Sequence, residues 1–91
     1  SQKTTITIPD YITIKGKKYP VISIQSNAFA KCKKLNSITF KGSKPPKIGR
    51  NAFKNINKKA KFYVPKKAYA KYRKTLTSKT GFNKSMKIVK K

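Results

Sequence analysis

The sequence predicts an α+β repeat fold: a short right-handed solenoid of strands and helical turns, opened by a β-meander and closed by a C-terminal helix plus a short strand. Three observations predict it. Ile24-Gln-Ser-Asn-Ala28-Phe29 recurs 24 residues later as Ile48-Gly-Arg-Asn-Ala52-Phe53. At the same offset Cys32 falls on Ile56 and Ile38-Thr-Phe40 on Phe62-Tyr-Val64, so apolar positions map onto apolar ones. The flanks carry other patterns, strict alternation before the echo and a helical period after it. A self-similar period of this length marks units that bury their faces only against their neighbours. Such a fold presents an extended surface rather than a pocket.

Each element follows in chain order. Thr4-Thr-Ile6-Thr-Ile8-Pro9 alternates polar and β-branched apolar residues, a strand pattern that Pro9-Asp10 turns. Tyr11-Ile12-Thr-Ile14 reads as a second strand, Gly16-Lys-Lys as a turn, and Tyr19 to Ile24 as a third strand, so residues 4–24 read as an antiparallel meander. Asn27 to Lys34 reads as one or two helical turns, with Ala28, Phe29, Cys32 and Leu35 on one face. Ile38-Thr-Phe40 is a strand ended by Gly42. The second unit repeats this order through Lys47-Ile48, Asn51 to Ile56, and Lys61 to Val64. Pro45-Pro46 stands where the first unit has Val21-Ile22, and proline cannot donate to a ladder, so the strand there is expected to be lost or pushed to an edge. Pro65 opens a helix of roughly 12 residues, with Tyr69, Tyr72 and Leu76 on one face and Ala68 beside them. Ser78 to Gly81 ends it, and Met86 to Val89 forms the last strand. The implied domain plan is a single unit over 1–91: opening strands 1–18, repeat one 19–43, a degenerate repeat two 44–65, and a C-terminal cap 66–91.

Charge is the second strong signal. The chain carries 25 Lys plus Arg against the single acid Asp10, a formal net charge of +24. Three readings compete. One is a nucleic-acid binder, since basic patches release counterions from phosphate backbones. Another is diffuse attraction to a polyanion such as acidic polysaccharide, teichoic acid or anionic lipid. The third is a solvated lysine coat whose acidic counterweight lies elsewhere in a longer protein. Only Arg50 and Arg73 are arginines, whereas bidentate and base-specific recognition usually relies on Arg. Nucleic acid is therefore the less favoured partner.

Catalysis is excluded by missing groups. One carboxylate permits no paired-acid mechanism. No His and a single Cys leave no Ser-His-Asp triad, no Cys-His pair and no metal-ligand set, so neither cofactor nor metal is assigned. No Ser has Lys three residues on, and Gly42 to Gly49 lacks the close of a P-loop. Cys32 is read as an apolar core residue because the next unit replaces it with Ile56. Phe29 with Phe53 and Phe40 with Phe62 are read as core, Tyr63 as lying on the opposite strand face, and Tyr69 and Tyr72 as docking the closing helix. Asp10 is read as a turn residue, and the sequon at Asn83-Lys-Ser85 as chance. No apolar run approaches the ~20 residues of a membrane-spanning helix.

Together these residues resemble the BspA-like leucine-rich repeat family of bacterial surface and secreted proteins. Three stretches carry the likeness. They are Ile6-Thr-Ile8-Pro9 with Ile14 to Ile24, then Ile24-x-x-x-Ala28-Phe29-x-x-Cys32-x-x-Leu35-x-x-Ile38, then Phe53 to Ile56 with Phe62 to Pro65 and Tyr72. The resemblance implies a leucine-rich-repeat-like fold, an extracellular location, secreted or on a bacterial cell surface, and adhesive or host-interaction roles. Ile56 in place of Cys and Lys59 in place of Leu depart from the pattern, as a degenerate terminal unit would. Two units are fewer than the ~3 a stack needs, which favours a piece of a longer array.

The expected function is a non-catalytic binding or adhesion module contacting host glycans, matrix proteins or other polyanions. The alternatives are a nucleic-acid-binding basic domain and a purely structural end-cap. The lysines best placed along the repeat edge are Lys33, Lys34, Lys58, Lys59 and Lys61, with Lys34 and Lys58 at equivalent positions.

Overall fold

The computed structural model describes residues 4–21 and 23–91. Its strands are β1 (Thr5–Ile8), β2 (Tyr11–Ile14), β3 (Lys17–Pro20), β4 (Ser23–Ile24), β5 (Ser37–Phe40), β6 (Lys47–Ile48), β7 (Lys61–Val64) and β8 (Lys87–Lys90), with one helix, α1 (Tyr69–Thr75). β1, β5, β7 and β8 form a parallel sheet in that order. Parallel strands need long crossovers, and the 24-residue echo supplies the central one, since Ser37 pairs with Lys61. Period-2 alternation then aligns Ile6, Ile38, Phe62 and Ile88 across the sheet, and Thr7, Thr39, Tyr63 and Val89 on the other face.

The expected meander is corrected in its first member. β1 does not pair with β2; it lies parallel to β5, where Ile6 and Ile8 align with Ile38 and Phe40. That register puts Ile8 in the core, which pairing with the hairpin would not do, because β2 is exposed along its length. Among the described residues only β2 and β3 are antiparallel, joined by a two-residue turn at Lys15-Gly16 with both φ values positive, the geometry that suits strand twist. The third expected strand is broken: β3 ends at Pro20, β4 starts at Ser23, and the expected strand residue Ile22 lies outside the described residues.

Opposite the main sheet, β4 pairs in parallel with β6. The pairing starts after Pro46, so the two prolines sit outside the ladder as their missing N–H groups require. The segments after β4 and β6 are chains of tight turns rather than helical turns. Asn27 and Asn51, equivalent in the echo, have φ of 62° and 60°, and Lys31 and Asn55 have 67° and 64°. A left-handed residue every fourth position stops a helix from propagating, and Asn tolerates that conformation better than most residues. The turns of adjacent units are bonded in register: Asn27, Phe29 and Lys31 donate N–H to the carbonyls of Arg50, Ala52 and Lys54, at 3.1, 2.8 and 2.9 Å.

A further unit continues this pattern. Asn51 and Phe53 donate N–H to the carbonyls of Lys79 and Thr80, and β8 pairs with β7. The second echo unit is therefore flanked on both sides. Phe53 is fully buried, stacked 5.5 Å from Phe29 and edge-on 5.1 Å from Phe62. Phe29 and Cys32, both expected in the core, are only half-buried. Each lies on the N-terminal side of the stack, where a turn segment covers only one side of its unit.

The closing helix is shorter than expected. A 3₁₀ turn over Lys66–Ala68 leads into α1, which ends at Leu76 in extended backbone. Ala68, Tyr72 and Leu76 are buried, Tyr72 tilted 4.8 Å from Phe40 with its hydroxyl donating to the Gly42 carbonyl at 2.7 Å. Burial, and secondarily the charge of Asp10, pushes the Tyr72 phenol up to about 12. Because the folded state holds that proton more tightly than an ordinary phenol near pH 10, the contribution is complete below pH 10 and is lost as pH rises towards 12. Tyr72→Phe is expected to cost about 1–2 kcal/mol at neutral pH, mostly through the orphaned Gly42 carbonyl. Urea unfolding of the pair across alkaline pH checks it, lysine titration cancelling in the difference. The gap should narrow between pH 10 and 12, and a constant gap would contradict this account.

Candidate functional site

Asn57 and Asn83 are the structural anchors of the site. Asn57 Oδ1 accepts the Lys59 N–H at 2.8 Å, and Asn83 Oδ1 accepts the Ser85 N–H at 2.8 Å. Their carbonyls accept the N–H groups of Ala60 and Met86, so the same side-chain-closed turn precedes β7 and β8. Between these turns lies a hollow of about 830 Å³ lined by Lys33, Lys54, Asn55, Ile56, Asn57, Lys58, Lys59, Gly81 and Asn83. Asn57 and Lys59 also line a second hollow of about 400 Å³ with Asn36, Ser37, Lys61 and Tyr63. Tyr63 in turn forms a wall of a third, about 270 Å³, with Thr39, Phe40, Lys41, Val64, Pro65 and Lys91. Shared lining residues set these hollows side by side as a track along residues 54–65, the middle unit of the stack, with the Tyr63 ring between the second and the third.

Of the five lysines expected from sequence, the track gathers Lys33, Lys58, Lys59 and Lys61. Lys34 lines none of the three hollows. Lys54, Asn55, Asn57 and Asn83 join from positions that sequence reasoning passed over. A signal was present: Asn57-Lys-Lys-Ala60-Lys61-Phe62 recurs as Asn83-Lys-Ser-Met86-Lys87-Ile88, at an offset of 26 rather than 24. The left-handed Asn55 corresponds in this second echo to Gly81, with φ of 64° and 101°.

No Asp or Glu side chain lines the track. Asp10 belongs to a separate small hollow with Gly42 and Tyr72. Ammonium and amide donors converging without a compensating acid repel one another and attract anions. The lining offers hydrogen-bond donors, point charges and one aromatic wall, but no nucleophile paired with a base. Among the described residues, no group of three or more His, Cys, Asp or Glu could hold a metal, and no helix is long and apolar enough to cross a membrane.

A family model described as a BspA type leucine-rich repeat region (6 copies) matches residues 2–88. The chain belongs to this BspA-type leucine-rich repeat family. Repeats of this kind are macromolecule-interaction modules, generally non-catalytic and typical of bacterial surface proteins. No curated protein and no solved structure matches the chain.

Proposed function

We propose that residues 1–91 form a single short solenoid domain of a secreted or cell-surface protein, and that it binds polyanions, acidic glycans foremost, without catalysis. The observation that supports this is the track of adjoining lysine- and asparagine-lined hollows with no Asp or Glu side chain along it. Binding of this kind is multipoint and electrostatic, with lysines acting as point charges. Neither arginine lines the track, which weighs against a nucleic-acid reader.

Salt dependence tests the proposal. If about four lysines each displace a counterion, affinity for a sulfated polysaccharide should fall about 50-fold between 50 and 200 mM salt. Isothermal titration with heparin over that range measures it. Binding that persists at molar salt, or none at 50 mM, would sink the proposal. Single-stranded DNA displacing heparin at equal charge concentration would favour nucleic acid instead.

A further inference from the structure

The middle hollow of the track is chemically richer than electrostatics requires. Asn36, Ser37, Asn57, Lys59, Lys61 and Tyr63 line it, which gives two amides, the Ser37 hydroxyl, two ammonium groups and one aromatic wall that carries a phenol, in about 400 Å³. It lies on the outward face of the main sheet, where Ser37 and Lys61 are register partners and Tyr63 follows Lys61 by two residues along β7. Lys91 holds its ammonium over the Tyr63 ring at 5.2 Å and lines the neighbouring hollow, not this one. The ring is thus a partition, clamped by a cation on one side and bordering the middle hollow on the other. Asn57 Oδ1 is already occupied by the Lys59 N–H, so its free amide half is the donor Nδ2.

Inorganic polyphosphate would use the ammonium groups and the hydroxyl and amide donors but would leave the face of the aromatic ring unmatched. A ligand with an apolar C–H face, hydroxyls that both give and accept hydrogen bonds, and an anionic substituent would match all of them. The geometry points to a subsite for an acidic hexopyranose, its ring face against Tyr63 and its sulfate or carboxylate between Lys59 and Lys61. This inference rests on the polyanion-binding reading above and sharpens it to a sugar.

The test compares wild type, Tyr63→Ala and Tyr63→Phe in titrations with a heparin-derived tetrasaccharide and with inorganic polyphosphate of equal charge. Tyr63→Ala is expected to weaken the tetrasaccharide about fivefold to tenfold, the scale of one aromatic contact, with Tyr63→Phe within about twofold of wild type. Polyphosphate affinity should stay within about twofold in both variants, which also absorbs any effect of freeing Lys91 or of altered folding. Saturating the aromatic protons should transfer signal to the sugar ring protons in wild type and Tyr63→Phe only. Equal losses for both ligands, or none for the sugar, would overturn the subsite while leaving polyanion binding intact. Failure of wild type to bind either ligand would overturn both readings.

Discussion

Replacing Gly81 by alanine is expected to lower stability by about 3–5 kcal/mol, a large share of the roughly 5–14 kcal/mol available to a chain of this length. Two independent terms add. Gly81 has φ of 101°, a conformation that strains any L side chain by about 1–2 kcal/mol. A Cβ there would also run into the backbone of the neighbouring unit, at Lys54 N, Phe53 C and Lys54 Cα. None of these atoms is the end of a flexible side chain, so relief requires the two units to separate. Separation would break the bond between Phe53 N–H and the Thr80 carbonyl and loosen Phe82, whose ring lies 5.6 Å from that of Phe62. Gly49→Ala meets Ser26 and Gln25 backbone in the same way, without a positive φ, and is expected to cost somewhat less. Urea unfolding with an unchanged slope gives both numbers. A Gly81→Ala protein within 1 kcal/mol of wild type would mean that the units are not packed this closely.

These contacts also show what was readable in advance. The 24-residue echo aligned the residues of β5 with those of β7, which pair at that offset, but the parallel pairing of β4 with β6 was not read from it, because Tyr19 to Ile24 was taken as part of an antiparallel meander. The partners of β1 and β8 were hidden by insertions. The hairpin of β2 and β3 stretches the spacing from Thr5 to Ser37, and the 3₁₀ turn with α1 stretches that from Lys61 to Lys87. Local alternation in Thr4 to Ile8 is the same for parallel and antiparallel pairing, so a strand was legible there but its partner was not. The helical reading of Asn27 to Lys34 failed for a related reason. Apolar spacing at i, i+3 and i+4 suits successive β-turns as well as a helix, and only the left-handed Asn27 and Lys31 separate the two. The burial of Phe29 was overestimated because an echo reports equivalence within a unit, not how many neighbours cover it.

The lysines were legible as residues and illegible as a site. A net charge of +24 says that anions are attracted, and clusters along the whole chain suggested a uniform coat. The stacking of the third unit on the second sets Gly81 and Asn83 across from Lys54, Lys58 and Lys59, and with Lys33 of the first unit these line one hollow. That step needs the register of β7 with β8, which the sequence echo at 24 does not reach.

A charge-matched comparison separates track from coat. Lys54→Glu/Lys58→Glu/Lys59→Glu reverses three charges on the hollow, and Lys66→Glu/Lys67→Glu/Lys71→Glu reverses three exposed ones on the 3₁₀ turn and α1. Both proteins carry the same net charge, and all six side chains are exposed, so neither set should shift stability by more than about 0.5 kcal/mol per substitution. A diffuse coat attracts through total charge and predicts equal losses. A track predicts otherwise: each ammonium near the ligand contributes about 1 kcal/mol, and replacing it with a carboxylate adds repulsion. The hollow triple should therefore lose at least about 100-fold in heparin affinity at low salt, and the helix triple under tenfold. The salt slope discriminates a second time, since it counts displaced counterions rather than total charge. It should fall by about 2–3 in the hollow triple and hold in the helix triple. Equal losses with equal slopes would return the lysines to a featureless coat, and with them the case for a localised site.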